Sequence, residues 1–487
     1  MKRILFSLAR SAYSLLSWSA LHDENARTKE IKVRRLLAYG TGEGIGHYAS
    51  FAVEKFYTDI AQSRHVELSS PQAGTCLLVF TRSWFTGGHT RVAERWIEVD
   101  KSRQYSIAFT DAHVDEIPVR LRDAVQSSGG SLIFVYRGSE LESGLELRRL
   151  SSRFESVVLF AHMYDVVPLI AFGTSEFKTP VGFYNHADHR FWLGVSIADL
   201  VGELRDWGRD LSYKYRGVRS QVMIGVPSES IQVADITKSF ARQKLGLERD
   251  ALIVTCVGRY AKMLPANGVN MLSTVRRLLE WDERLVFLMV GISEDQICGW
   301  SEVAHSYLGR LKCFAEVPHN ELKFYHLAAD IVLDSRPMGG ITALADALWC
   351  RRPILSCMKS VDWIAGSSAC CVNDDDVLAK AKSLLQLSDI ERQEIAKEQL
   401  KILEKLSGNE SFKKKIDEFL GRLLAVKHVV RSFSAHATPY LDADRFYASR
   451  KTNRWYVGMI IRMVIFSSSF LINILNLEKT AGSPKRR

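Results

Sequence analysis

The sequence contains no C-x-x-C pair, no internal repeat and no low-complexity block. Its eight cysteines (Cys76, Cys256, Cys298, Cys313, Cys350, Cys357, Cys370 and Cys371) match no zinc-ligand spacing. Several stand inside apolar runs, as Cys256 does in LIVTCVG, which reads as buried, reduced thiols and a reducing compartment. No G-x-G-x-x-G stands in register. AYGTGEGIGHYASF (38–51) has four glycines ahead of a helical pattern without the dinucleotide spacing, and is expected to be a first β-turn-α unit. Acids are missing from the first twenty residues, MKRILFSLARSAYSLLSWSA. Arg10 interrupts the apolar core that a cleavable signal needs, so the segment reads as a surface helix or a membrane-touching arm.

What is present is enough for more than one core. At 487 residues the chain is long enough for two or three domains. Hydrophobic residues make up 47% and charged residues 25%, a globular profile. The net charge of +10 favours anionic partners (nucleic acid, anionic lipid or phosphorylated ligands), or else describes a solvated basic surface. Near the C-terminus, RWYVGMIIRMVIFSSSFLINIL (454–475) is long enough to span a bilayer. Arg462 would cost about 3 kcal/mol near the bilayer centre. An interfacial anchor, a span and a helix packed on the protein body all remain open for it.

Between these ends, short apolar runs alternate with helical spacing. Strands are expected at CLLVFT (76–81), QYSIAFT, SLIFVYR, SVVLFA (156–161) and TPVGFYN (179–185), with IADLVGEL as a short helix or strand-turn. IGVPSESIQ has connector composition, and a second alternating series begins at ALIVTCVGR. The pattern predicts an α/β chain with two Rossmann-like domains facing across a cleft and basic, apolar terminal extensions. The expected boundaries are an arm at 1–34, an N-terminal domain at 35–228, a C-terminal domain at 229–425 and an extension at 426–487. The acidic runs NDDDV and DAD (442–444) read as solvated or helix-capping rather than metal-binding.

Ligands of open parallel sheets sit at the carboxyl ends of strands, which ranks the motifs. In DSRPMGGITALADAL, Gly339 and Gly340 precede a helix and allow its N-terminal N–H groups to receive a diphosphate; Thr342 adds a hydroxyl, and Asp346 suits a ribose. Arg259 and Lys262 in VGRYAKMLP follow the first strand of the same domain and suit phosphate oxygens. EVPHNEL, with Val317 and His319, could wall a base pocket. In the first half, His89 in WFTGGHTRV is a candidate base or phosphate contact. His186, Asp188 and His189 in YNHADHRFWLG are a second candidate group, Asp188 orienting a histidine; a metal site is discounted for want of a third ligand. Phe191 and Trp192 either stack on a sugar face or pack in the core.

The segments GRYAKMLP, FAEVPHNELKFYHLAADIVLDSRPMGG and ITALADALWCRRPIL resemble glycosyltransferases of the GT-B fold, more narrowly the O-linked N-acetylglucosamine transferase family and its bacterial relatives. The resemblance covers about 150 residues of the second domain well and the first loosely. It implies that Lys262, Gly340 and Thr342 meet the nucleotide diphosphate, Asp346 the ribose, and Val317 to His319 the uracil. It also implies that His89 faces the catalytic centre. Ile341 stands where that family carries a histidine, and Met338 where a retaining enzyme carries the first acid of its Glu-x7-Glu pair.

The sequence thus predicts a glycosyltransferase that moves a sugar from a UDP-sugar to an acceptor hydroxyl, inverting and metal-independent. The UDP-sugar is a co-substrate, and no further cofactor is expected. The acceptor is a glycan, a lipid-linked glycan or a protein, in bacterial surface-glycan assembly. The expected site is cytoplasmic, with an anionic membrane surface as a further partner and no nucleic acid. Two rivals stand beside this reading: a UDP-sugar epimerase of the same fold, and a non-catalytic nucleotide- or sugar-binding partner in a glycan assembly complex.

Overall fold

The computed structural model describes residues 2–436 and 453–467, apart from 43–44, 86–87, 229–232, 234–235, 266–268, 294–299, 308, 316 and 358–364. The DAD run, residues 468–475 and the basic tail lie outside the described residues. Two compact units are formed, one from residues 1–225 with 414–487, the other from residues 226–413.

The first unit is built on seven strands: β1 (Gln72–Phe80), β2 (Gln104–Phe109), β3 (Leu132–Phe134), β4 (Phe154–Phe160), β5 (Val181–Tyr184), β6 (Leu200–Glu203) and β7 (Gln221–Met223). They run parallel in the order β3-β2-β1-β4-β5-β6-β7, with Leu78 of β1 opposite both Ile107 and Val158. A parallel sheet is covered on both faces, so its strands read as unbroken apolar runs. The six residues Thr75–Phe80 of β1 are all buried. IADLVGEL, open between helix and strand-turn, supplies β6, whose four residues are all buried.

Helices α1 (Lys2–Leu21), α2 (Ala26–Thr41) and α3 (Phe51–Gln62) precede the sheet. The expected arm at 1–34 is therefore part of this unit: Tyr13, Leu16, Val33 and Leu36 are buried in its core. The expected β-turn-α unit at 38–51 is corrected as well. Residues 38–41 end α2, and Ser50 caps α3 by accepting from the Val53 N–H. A buried ion pair holds the α1–α2 corner. Lys32 Nζ lies 2.6 Å from Asp23 and donates to Ser19 Oγ, and the Thr28 hydroxyl donates to the same Asp23 oxygen. With its polar atoms paired in this way, the burial of Lys32 is tolerated.

The C-terminal helix Asn453–Ser467 packs on this unit, burying Tyr456, Met459 and Met463 in the same core. Of the three readings left open for 454–475, the described part is therefore a helix packed on the protein body. Among the described residues, no helix is long and apolar enough to cross a membrane. The helix Asn409–Leu424 returns the chain to the first unit, where Phe419 packs against Gly182 of β5. A Cβ at position 182 would come within 2.6 Å of the Phe419 ring.

The second unit has five strands, β8 (Leu252–Val257), β9 (Leu285–Val290), β10 (Leu311–Phe314), β11 (Ile331–Leu333) and β12 (Ile354–Leu355), all parallel in the order β10-β9-β8-β11-β12. Successive strand residues enter opposite cores: Ile253, Leu288, Val332 and Ile354 one, and Val254, Phe287, Leu333 and Leu355 the other. That period of two follows from the pleat. Asp330, at the start of β11, accepts from the Ile253 N–H and pairs with Lys238, Arg242 and Arg392. The two α/β units thus have the expected Rossmann-like architecture.

Candidate functional site

Both sheets reverse their winding once. From β1 the chain builds outward to β2 and β3, then returns to add β4 on the other side; β8 does the same with β9, β10 and then β11. Ligands of open α/β sheets bind outside the carboxyl ends of the strands at such reversals. The residues after β8 and β11, and those after β1 and β4, define the two candidate edges.

At the second unit's edge, the turn after β8 carries Arg259 and Lys262, and the turn after β11 carries residues 334–340. The two are joined: the Met338 N–H donates to the Lys262 carbonyl, and Lys262 Nζ donates to the Gly339 carbonyl at 3.3 Å. Asp334 is buried beneath them. Its carboxylate accepts from the Gly340 N–H at 2.8 Å and from the Ser356 hydroxyl at 2.5 Å. Burial pushes the Asp334 carboxyl upward, opposed by these hydrogen bonds and by Lys262. Burial also pulls the Lys262 ammonium below its ordinary range, opposed by Asp334. Gly340 leaves room for this arrangement, since a Cβ there would come within 3.2 Å of Lys262 Nζ.

The helix Ile341–Trp349 begins at Gly340 with no side-chain cap. The Gly340 N–H is spent on Asp334, whereas an uncapped first turn still offers the N–H groups of Ile341, Thr342 and Ala343. An ammonium beside a helix N-terminus is suited to anionic oxygen. Thr342 is exposed on that turn, and Asp346 lies one turn further on, within the buried stretch Leu344–Leu348. Arg259 is exposed. Val317 is half-buried against the core between β10 and the next helix, and His319 opens a short 3-10 turn there. The NDDDV run opens a helix, but the cap is the amide: Asn373 accepts from the Asp376 N–H, while Asp374 and Asp375 in the first turn pair with Arg336 and Arg277.

The first unit's edge has a different chemistry. His89 lies on the first turn of α4 (Gly88–Val99), His162 just after β4, and His186 just after β5. The His89 ring stacks on His186 at 5.1 Å and meets His162 edge-on at 5.6 Å. Burial pulls all three imidazoles down, His162 to about 4 and His186 to about 3. They are therefore neutral at pH 7. His89 Nε2 faces the Arg82 carbonyl at 3.2 Å. A carbonyl only accepts, so Nε2 carries the proton and Nδ1 presents a lone pair. Trp84 Nε1 donates to His162 Nε2 at 3.4 Å, which leaves the His162 proton on Nδ1, facing the Tyr164 hydroxyl. Trp84 and Tyr164 are exposed on this rim.

His162 was not among the residues the sequence singled out. Its only signal is position: it follows a buried strand in AHMYD as His186 follows one in YNHAD. Asp165 was missed too. Its buried carboxylate accepts from Thr81, Thr110 and the Val167 N–H, tying the ends of β1, β2 and β4 together. The group expected at 186–189 is divided. Asp188 is held by Arg205 through two hydrogen bonds, at 2.6 and 2.9 Å, and by His189 at 3.3 Å. Burial would raise the Asp188 carboxyl, but His189 and Arg205 outweigh it and hold it well below the carboxylate range. The His186 Nδ1 has no hydrogen-bond partner, and the histidine that Asp188 holds is His189. Trp192 is buried and stacks on Phe183 at 4.2 Å, the core use of that aromatic. Among the described residues, no group of three or more His, Cys, Asp or Glu is placed to hold a metal ion.

No protein-family model matches the chain, and no curated protein matches it in sequence. Solved structures do match in fold. An O-GlcNAc transferase of Thermobaculum terrenum, in a mutant form, is 13% identical, with 86% of this chain and 81% of that chain covered and a TM-score of 0.54. HepE of Anabaena, solved with UDP and glucose, is 14% identical, with 71% of this chain and 99% of that chain covered and a TM-score of 0.55. The lipopolysaccharide outer core galactosyltransferase WaaB, in its apo form, is 12% identical at 72% and 99% coverage, with a TM-score of 0.52. At such identities the likeness is one of fold. The chain has the GT-B architecture of two Rossmann-like α/β units.

Proposed function

We propose that the protein is a glycosyltransferase that uses a UDP-sugar donor and an acceptor hydroxyl, most simply of a glycan. The observation that carries the reading is the pairing of Lys262 with an uncapped helix N-terminus at the β8/β11 reversal. Supporting it are three neutral histidines at the corresponding reversal of the other sheet, and the fold shared with HepE, solved with UDP and glucose. In this reading His89 Nδ1 takes the acceptor proton as the hydroxyl oxygen bonds to the anomeric carbon. The bond from that carbon to the diphosphate oxygen breaks, and its electron pair leaves with UDP. Lys262 and the first-turn N–H groups at Ile341 and Thr342 receive the growing negative charge. Arg259 contributes a second cation, Asp346 the ribose contact, and Val317 with His319 the wall for the base. The transfer inverts the anomeric centre, and no resident metal enters the proposal. Burial keeps His89 neutral, and the Arg82 carbonyl with the His186 and His162 rings orients it, while Asp188 and His189 hold the chain after β5.

The test is release of UDP from a panel of UDP-sugars incubated with glycan acceptors, followed by mass spectrometry of the acceptor. Acceptor mass rising by one sugar residue supports the reading. Interconversion of the UDP-sugar without an acceptor would move the protein to the epimerase class. Nucleotide binding without turnover on any acceptor would support the non-catalytic partner.

A further inference from the structure

Helix α1 has two apolar faces. One is buried in the first unit's core through Phe6, Tyr13 and Leu16. The other, formed by Ile4, Leu8, Leu15 and Trp18, recurs at helical spacing on the opposite side and is exposed, Ile4 to 65% and Trp18 to 61%. The C-terminal helix Asn453–Ser467 repeats the arrangement: Tyr456, Met459 and Met463 are buried, whereas Val457, Ile461 and Val464 are exposed. The two helices lie side by side, and the Ser19 hydroxyl donates to the Ser467 carbonyl at 2.6 Å, which puts their C-terminal ends together. Two adjacent helices resting on one core turn their other stripes to the same side. A soluble monomer rarely exposes an apolar patch of this extent without a use for it.

Within these two helices the charge has one sign. Neither helix contains a carboxylate, while Lys2, Arg3, Arg10, Arg454 and Arg462 fall within them. Arg454 and Arg462 are exposed, and the Arg35 guanidinium lies 4.7 Å over the Phe466 ring at the end of the pair. We propose that α1 and the helix Asn453–Ser467 form one docking face for an anionic lipid surface. The Ile4–Trp18 and Val457–Val464 stripes enter the headgroup boundary, and Arg454 and Arg462 meet lipid phosphates. An apolar stripe on a basic helix lies in the interface plane. A second copy of the chain is the poorer occupant, because a symmetric contact would set these arginines against each other with no acid between them.

The test is co-sedimentation of the full chain, without nucleotide, with phosphatidylcholine–phosphatidylglycerol vesicles and with pure phosphatidylcholine vesicles. Binding is expected to the anionic vesicles and to weaken with salt. The double variant Leu8→Ser/Trp18→Ser is expected to lose it. Arg454→Gln/Arg462→Gln is expected to lower partitioning by roughly tenfold or more. These side chains are exposed, so far-UV circular dichroism and the melting temperature should not change. The basic residues 485–487 are present in every variant, so the first pair isolates the stripe. Failure of the wild type to pellet with anionic vesicles overturns the proposal, as does pelleting that the Leu8→Ser/Trp18→Ser change leaves intact. A dimer that dissociates in that variant, with no vesicle binding, assigns the face to a second copy. None of these outcomes bears on nucleotide binding, which is read separately by calorimetry.

Discussion

The two sheet edges share one topology and carry opposite chemistry. At the β8/β11 reversal the side chains are charged and balanced against each other: the Lys262 ammonium stands over a buried Asp334 carboxylate, beside the open start of a helix. At the β1/β4 reversal three imidazoles gather, held neutral by burial and, for His162 and His186, also by neighbouring histidines. The first arrangement suits holding negative charge, and the second suits moving a proton. A doubly wound sheet fixes where a ligand sits, and the turn residues decide what is done with it.

Several substitutions would break this contrast. The largest effect is expected for His89→Ala, with kcat falling about 10²- to 10⁴-fold, the range of a lost general base, while UDP affinity stays within about twofold. Lys262→Ala should do the reverse at the binding step, weakening UDP by about 10- to 100-fold, the value of a charge-assisted contact. Because it also leaves Asp334 without its cation, its melting temperature should be measured alongside. If His89→Ala weakened UDP and Lys262→Ala did not, the division of labour between the edges would be wrong.

The histidine edge also predicts a pH dependence of stability. The folded protein holds His162 and His186 well below the ordinary histidine value, near 4 and 3, so the unfolded chain binds more protons between about pH 6.5 and those values. Stability contributed by keeping the rings neutral is therefore complete above about pH 7 and is lost as the pH falls toward 4. His162→Gln should flatten that acid limb by about 1–2 kcal/mol, allowing for solvent at the partly exposed ring, as read from urea unfolding at pH 7 and 5. The smallest effect is expected for His189→Ala. Its ring serves the Asp188–Arg205 cluster, so kcat should change by less than about threefold. A loss as large as that of His89→Ala would return the 186–189 group to the centre of the chemistry.

Much of the fold could be read from the residues, because a parallel sheet writes itself as apolar runs at regular intervals. LIVTCV, LVFLMV and SVVLF all became buried strands. LVGE stood in IADLVGEL, open between helix and strand-turn, and QVM was not singled out, since neither is an apolar run long enough to show a period. Lys262 and Gly340 were legible as separate turn motifs, but their joining through Gly339 and Asp334 depends on residues more than seventy positions apart. His162 was illegible for another reason: a single histidine after a strand looks like any loop histidine until the neighbouring strand ends bring two more beside it. The pairing of α1 with the C-terminal helix spans 448 residues between Ser19 and Ser467, and no local pattern encodes it.

The β8/β11 edge is proposed to hold a uridine diphosphate group. Isothermal titration of the full-length protein with UDP, and with ADP for comparison, on wild type and Lys262→Ala, tests it most directly. Saturable UDP binding stronger than ADP binding is expected, weakened about 10- to 100-fold by the substitution. A folded wild type that takes up neither nucleotide, or a Lys262→Ala protein that binds UDP as tightly as the wild type, would contradict it.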